Sequence, residues 1–129
     1  MTTKTIAILI GAIFIVIGLL GFISNPIVGA GHDSVFHTDS LHNAVHIISG
    51  ILFLVFGMGI SSRASAFMKI FGVVYLLLGI LGLFVFGTAG EGKLLGFLHV
   101  NGADNFLHIG LGILIFFAGL KGKPSPVVA

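Results

Sequence analysis

The chain contains six histidines and no cysteine. Among its side chains, those of histidine can take part in the widest range of chemical reactions and ligand contacts. The six are His32, His37, His42, His46, His99 and His108. His46 and His108 each follow an asparagine by three residues, so on a helix each Asn–His pair shares one face. Imidazole nitrogens bind zinc and related ions, ligate haem iron and titrate near neutral pH. The sequence therefore predicts that any chemistry here is histidine chemistry without a thiolate.

Four of these polar residues form a candidate metal site, namely His42, His46, Asp104 and His108. If both Asn–His faces point into a bundle, we expect His46 and His108 to approach each other across the pseudo-two-fold axis. We expect His42 and Asp104, which are equivalent and complementary, to meet near that axis as well. The first expectation is an interhelical hydrogen-bond network without a cofactor, which includes Asp39, Asn43, Asn101 and Asn105. The alternatives are a divalent metal such as Zn, held by the four residues of the candidate site, and haem b or a chlorophyll-type pigment, held by His46 or His108. No CxxC or HExxH spacing selects among them.

Four long apolar runs must position these side chains. They are Thr5–Ile23, Asn43–Ile60, Phe67–Phe86 and Asn105–Leu120. Hydrophobic residues make up 57% of the chain and charged residues 8%, where a soluble domain carries about 25% charged residues. A water-soluble globule is therefore excluded, and helices of this length cross a hydrocarbon core of about 30 Å. We predict an all-α integral membrane four-helix bundle forming a single domain over residues 1–129.

The sequence also repeats itself. Gly11, Gly18 and Gly21 match Gly72, Gly79 and Gly82 at an offset of 61 residues. At an offset of 62, His37, Asn43, His46, Gly50 and Gly57 match His99, Asn105, His108, Gly112 and Gly119. The matches predict two duplicated transmembrane hairpins, repeat 1 over residues 1–60 and repeat 2 over residues 67–120. Each hairpin has two spans, so this is a parallel repeat with its pseudo-two-fold axis along the membrane normal.

The cationic residues predict an orientation. Five of the six precede the first run, separate the second from the third, or follow the fourth: Lys4, Arg63, Lys69, Lys121 and Lys123. Those places share one side of a four-span bundle, which makes both termini cytoplasmic and puts the histidines in the outer half. The alternative for the first run is a cleavable signal peptide ending near Gly29–Gly31. It is disfavoured because the first run repeats the third.

Polar residues mark where the second and fourth helices begin. Asp39 and Asn101 suit the N-cap position, where a side-chain oxygen accepts from a free backbone amide. Asp104, three residues after Asn101, suits the second half of a capping box. We therefore expect the second helix to begin after Asp39 and the fourth after Asn101.

The connecting segments carry weaker signals. The glycine-rich stretch Gly87–Gly92 predicts a flexible outer loop, and residues 121–129 predict a disordered tail. We expect His32 to lie at the surface. The match between His37 and His99 is explained by the duplication without a function for either residue.

Three stretches are similar to a known family. They are Gly72–Gly82 (GVVYLLLGILG), Gly96–Gly112 (GFLHVNGADNFLHIGLG) and His42–His46 (HNAVH). In these motifs the chain resembles a widespread bacterial family of small four-helix membrane proteins, the domain of unknown function 4383 (DUF4383). The resemblance extends from Ile6 to Leu120. It implies a multi-pass protein of the bacterial inner (plasma) membrane and brings no activity, substrate or cofactor with it.

The sequence predicts no enzyme. Ser49 lies one turn from His46, but no carboxylate is placed to orient that imidazole for nucleophilic catalysis. We expect a non-enzymatic accessory or structural subunit, or a homo-oligomer, whose partners are the lipid bilayer and other membrane chains and not nucleic acid. The alternatives are a metal-, haem- or pigment-binding protein and an oligomeric channel or pH-sensing protein.

Overall fold

Four long helices dominate the part of the chain that the structure describes, residues 1–30 and 33–121 of a computed structural model. The elements in chain order are α1 (Thr3–Leu20), β1 (Val28–Gly29), β2 (Phe36–His37), α2 (Ser40–Leu54), α3 (Ala64–Phe86), β3 (Glu91–Leu94), β4 (Leu98–Asn101) and α4 (Gly102–Lys121). A π-helical turn, Val55–Gly59, extends α2, and a 3₁₀ turn, Ser61–Arg63, precedes α3. His32 and residues 122–129 lie outside the described residues, so the expectations for them stay predictions.

All four helices are long and apolar enough to cross a membrane, over Thr3–Leu20, Ser40–Gly59, Ser61–Phe86 and Gly102–Lys121. Large apolar side chains cover their outer faces; Phe84 is 88% exposed and Leu114 69%. So much uncovered apolar surface suits lipid rather than water as the surrounding solvent. The four predicted apolar runs are therefore confirmed as helices, and they indicate a multi-pass membrane protein.

The helix ends differ from the apolar runs by a few residues. The helix α4 begins at Gly102, directly after the predicted cap Asn101 and three residues before the apolar run starts at Asn105. The helix α1 stops at Leu20, three residues before its apolar run ends at Ile23. The first turn of α4 is polar, so an apolar run does not include it although it is helical. Lys121, the first residue of the predicted tail, is the last residue of α4.

The helices pack in two pairs, α1 with α2 and α3 with α4. In the first pair, a Cβ atom added to Gly11 would lie 2.8 Å from the carbonyl oxygen of Gly50. In the second pair, a Cβ atom added to Gly72 would lie 2.7 Å from the carbonyl oxygen of Gly112. Both crossings therefore require glycine, as expected where backbones approach closely within a membrane.

Two short ladders lie at one end of the bundle, which we call the sheet end (β1–β4). The strands β1 and β2 pair in parallel, and β3 and β4 form an antiparallel hairpin with Glu91 opposite Asn101. The turn of that hairpin places Leu95 at φ 55° and Gly96 at φ 83°. The stretch Gly87–Gly92, predicted as a flexible loop, thus includes the first two residues of β3. The strand β3 has only four residues, which is too short for an alternating apolar pattern to predict it.

Aromatic side chains fill the space between the two helix pairs. Phe14 of α1 stacks on Phe53 of α2 with ring centroids 5.7 Å apart. Phe14 also meets Tyr75 of α3 edge-on at 5.5 Å, and Tyr75 stacks on Phe71 at 4.7 Å. This apolar core continues toward the sheet end until it reaches the ring of His46, whose centroid lies 5.7 Å from that of Phe14. The core therefore forms the floor of a polar cluster.

Candidate functional site

Three histidines from two helices meet above this aromatic core. The ring centroids of His42 and His46 on α2 are 4.5 Å apart, and those of His42 and His108 on α4 are 5.5 Å apart. The His46 and His108 centroids are separated by 6.4 Å. All three side chains are buried, with exposed fractions of 5% or less. We call these three residues the histidine cluster.

The cluster has the composition and spacing of a metal-binding group. One ring nitrogen from each of His42, His46 and His108 lies within 4.8 Å of the other two. Neutral imidazole offers one lone pair and is the commonest metal ligand in proteins. The structure thus brings together three of the four predicted ligands.

The orientation of His42 is set by a long-range hydrogen bond. Its Nδ1 lies 2.6 Å from the backbone carbonyl oxygen of His99 in β4. A carbonyl oxygen can only accept, so Nδ1 donates, and in the neutral ring the lone pair is on Nε2. Metal-ligating histidines commonly hold their second nitrogen in this way, by donating to a backbone carbonyl.

Several polar atoms near the cluster lack partners. Among the residues that the structure describes, Nδ1 of His46 and Nδ1 of His108 are buried without a hydrogen bond. Both polar side-chain atoms of Asn105, one turn before His108, are also unpaired, and this amide packs against Gly82 of α3. Buried polar groups in folded proteins are nearly always paired. The two unpaired imidazole nitrogens within the cluster are therefore typical of a site whose ligand supplies the missing contacts.

Asp104, the fourth predicted ligand, takes part in a helix cap. Its Oδ2 accepts from the backbone amide of Asn101 at 2.9 Å, and its own amide donates to Oδ1 of Asn101 at 3.0 Å. This reciprocal pair is the predicted capping box of α4. Asp104 is 1% exposed and does not pair with His42, whose Nδ1 bonds to His99 instead.

The remaining residues of the predicted polar network lie beside the cluster. Asp39 caps α2 by accepting from the amide of His42 at 2.8 Å, as the sequence predicts. Thr38 donates its hydroxyl to Oδ1 of Asn43 at 2.6 Å. At the end of β4, Nδ2 of Asn101 donates to the carbonyl oxygen of Val35 at 3.0 Å. These bonds attach the chain before α2 and the start of α4 to the sheet end.

A second group of polar residues lies at the surface of the sheet end. Oε2 of Glu91 lies 2.8 Å from Nδ1 of His37 and 3.2 Å from Nε2 of His99. Hydrogen bonds from His37 and then His99 hold the pKa of Glu91 below its ordinary value. Nothing in the sequence pointed to this triad, because Glu91 belongs to no motif, although the repeat pairs His37 with His99.

Comparison with known proteins places the chain in a family. Residues 4–121 match the family described as Domain of unknown function (DUF4383). No curated protein and no solved structure matches the chain. Because the match covers nearly all of the four-helix bundle, including the histidine cluster and both caps, the chain belongs to the DUF4383 family.

Proposed function

We propose that the protein binds a divalent transition-metal ion, with Zn²⁺ as the reference, through His42, His46 and His108. The observation that carries this proposal is the approach of three buried imidazole nitrogens to within 4.8 Å of one another. A buried cluster of donors and acceptors is costly to leave unpaired. Binding an ion would satisfy His46 and His108 together, which no single neighbouring side chain does.

The distances suit a small ion after a short movement. Zn–N bonds of about 2.0–2.1 Å in tetrahedral geometry require nitrogens about 3.4 Å apart. The present separations are at most 4.8 Å, so the nitrogens would approach one another by up to about 1.4 Å on binding. Three protein ligands leave the fourth position open, the arrangement found at zinc sites that bind water or substrate.

The charge of the surroundings also favours a cation. Asp104 lies four residues before His108 on α4, so both side chains project from the same face one turn apart. Its carboxyl group is buried, so a bound cation would favour the ionised form and would interact with it strongly there. Asp104 would act through its charge, since the capping box holds its Oδ2.

A haem or a pigment fits less well than an ion. A macrocycle ligated by both His46 and His108 needs an open slot between the two rings. The ring of His42 lies against both of them, at centroid distances of 4.5 and 5.5 Å. An ion of atomic size needs no such slot, which favours it over the two larger cofactors.

A further part of the proposal concerns architecture and placement. We propose that the two helix pairs are duplicated hairpins, a view supported by the matching Gly11–Gly50 and Gly72–Gly112 crossings. With both termini cytoplasmic, the sheet end faces the outer side of the bacterial inner membrane. We further propose that the protein is a non-enzymatic accessory subunit or forms a homo-oligomer. In either case the metal site would be structural or regulatory.

Metal content tests the proposal directly. The full chain, purified in mild detergent and stripped with a chelator, is titrated with Co²⁺ and with Zn²⁺. We expect one ion per chain and Co²⁺ absorption bands typical of nitrogen coordination. His46→Ala and His108→Ala are each expected to weaken binding by at least about tenfold, because a direct ligand is lost.

The matched control is His37→Ala, which removes a histidine at the sheet end outside the cluster and should leave the affinity unchanged. Circular dichroism checks that every variant remains helical. If folded wild-type protein binds no more Co²⁺ than a variant lacking all three cluster histidines, the proposal is wrong.

A further inference from the structure

A groove runs along the bundle between α1 and α4 and ends at the histidine cluster. It has a volume of about 360 Å³. Isoleucines of α1 and leucines of α4 form its two walls, among them Ile10, Ile13, Ile17, Leu107, Leu111 and Leu114. A groove this apolar within a membrane-spanning segment is accessible to molecules dissolved in lipid.

Among the residues that the structure describes, one polar side chain lines this groove, that of His46. His46 is 95% buried, since its exposed fraction is 5%, and its Nδ1 has no hydrogen-bond partner among the described residues. Binding sites for small molecules combine an apolar lining with a few placed polar groups that fix the ligand's orientation. The groove has this character, with His46 as its polar end.

The shape of the groove suits a single extended chain. Its wall on α1 extends over the twelve residues from Ile6 to Ile17, or about 16 Å of helix at about 1.5 Å per residue. A long apolar groove between two helices accommodates an extended hydrocarbon chain, whereas a flat macrocycle needs a broader slot.

The charge of the proposed metal site selects the head group. Three neutral imidazoles carry no negative charge, and Asp104 would offset at most one of the two charges of a divalent ion. The charge that remains is costly in an apolar interior. An anionic oxygen at the open fourth position would reduce that charge and complete the coordination. A carboxylate does both and is a common zinc ligand.

We infer that the groove between α1 and α4 holds the chain of a fatty acid whose carboxylate reaches the ion at His42, His46 and His108. The inference rests on the proposed metal-binding function. The lipid phase supplies the ligand, so the open coordination position is reached from within the bilayer. His46 connects the groove to the ion site, since it lines the groove and belongs to the histidine cluster.

The test uses the full chain loaded with Co²⁺ in phosphatidylcholine nanodiscs, with palmitic acid as the probe. We expect palmitic acid to change the Co²⁺ absorption bands in a saturable way at one equivalent per chain. Hexadecanol, which lacks the carboxylate, and acetate, which lacks the chain, should each need at least a hundredfold higher concentration.

Two groove variants and a matched control locate the chain. Leu114→Trp and Ile13→Trp narrow the groove from opposite walls, at positions 69% and 56% exposed, and should weaken palmitic acid binding at least tenfold without loss of Co²⁺. Ile113→Trp places the same side chain on α4 outside the groove lining and should bind as the wild type does.

The outcomes separate the two proposals. If Co²⁺ binds but palmitic acid leaves its bands unchanged, or acts equally on Leu114→Trp and Ile113→Trp, the fatty-acid inference is wrong and the metal proposal stands. If hexadecanol acts as strongly as palmitic acid, the carboxylate assignment is wrong. Failure of the folded wild type to bind Co²⁺ overturns both proposals.

Discussion

The backbone carbonyl of His99 accepts a hydrogen bond of 2.6 Å from Nδ1 of His42, joining β4 to the first turn of α2. The two residues are 57 positions apart in the chain. This bond fixes which nitrogen of His42 faces the histidine cluster, because the other one is occupied. A strand at the surface of the sheet end thus orients a buried imidazole.

Substitution at position 99 separates the backbone of that residue from its side chain. His99→Ala keeps the carbonyl that holds His42, so we expect Co²⁺ affinity to stay within about threefold of wild type. His42→Ala removes a cluster ligand and should lower the affinity by at least about tenfold. Both affinities come from the same Co²⁺ absorption titration. An equal loss in the two variants would mean that the His99 side chain, and not its carbonyl, supports the site.

Glycine substitutions test the close helix crossings. A Cβ atom on Gly50 would lie 2.6 Å from the carbonyl oxygen of Gly11, so Gly50→Ala must push the helices apart. We expect a loss of about 1–3 kcal/mol in the free energy of unfolding, the usual cost of overpacking. Unfolding in mixed micelles, followed by circular dichroism, measures this loss.

Gly110→Ala is the matched control for that experiment. It lies on α4, and an added Cβ atom there would meet nothing within 4 Å. We expect no loss of stability, and a gain of up to about 1 kcal/mol from the better helix propensity of alanine. Equal destabilisation of Gly50→Ala and Gly110→Ala would contradict the crossing contacts described above.

Acidification should weaken the surface triad at the sheet end. Hydrogen bonds from His37 and His99 hold the pKa of Glu91 below its ordinary value of 4.5. Ionised Glu91 therefore stabilises the fold above that pH, and its contribution is lost as the pH falls through the lowered pKa. The Glu91 side chain is 42% exposed, so the contribution is at most about 1 kcal/mol.

The measurement compares wild type with Glu91→Gln at pH 6 and at pH 3. The difference in their free energies of unfolding should be larger at pH 6 and shrink toward pH 3. A difference that grows on acidification would have the wrong sign for a carboxylate with a lowered pKa.

Substitutions of Asn101 test the capping box of α4, because they differ in whether a side-chain acceptor remains. Asn101→Ala removes the oxygen that accepts from the amide of Asp104, and should cost about 0.5–2 kcal/mol of stability. Asn101→Ser keeps a side-chain acceptor there and, like alanine, lacks the bond to Val35, so it should cost less. Unfolding in mixed micelles gives both values, and equal costs for alanine and serine would contradict the contribution of the cap.

Features that depend on neighbours along the chain were predictable from the sequence. The four helices follow from apolar runs, because a helix satisfies its backbone hydrogen bonds within one segment. The caps at Asp39 and at Asn101 with Asp104 follow from spacings of three residues, which one helical turn brings into contact. The approach of His46 to His108 was inferred from the two Asn–His faces, which required only that both point inward.

Contacts between residues distant in the chain were decided by tertiary structure. Periodicity gives the face of a helix but not its partner, its rotation or the path of a connection. For this reason the sequence paired His42 with Asp104, whereas the folded chain pairs it with the carbonyl of His99. The contact of Glu91 with His37, and the groove that ends at His46, likewise exist only because separate segments pack side by side.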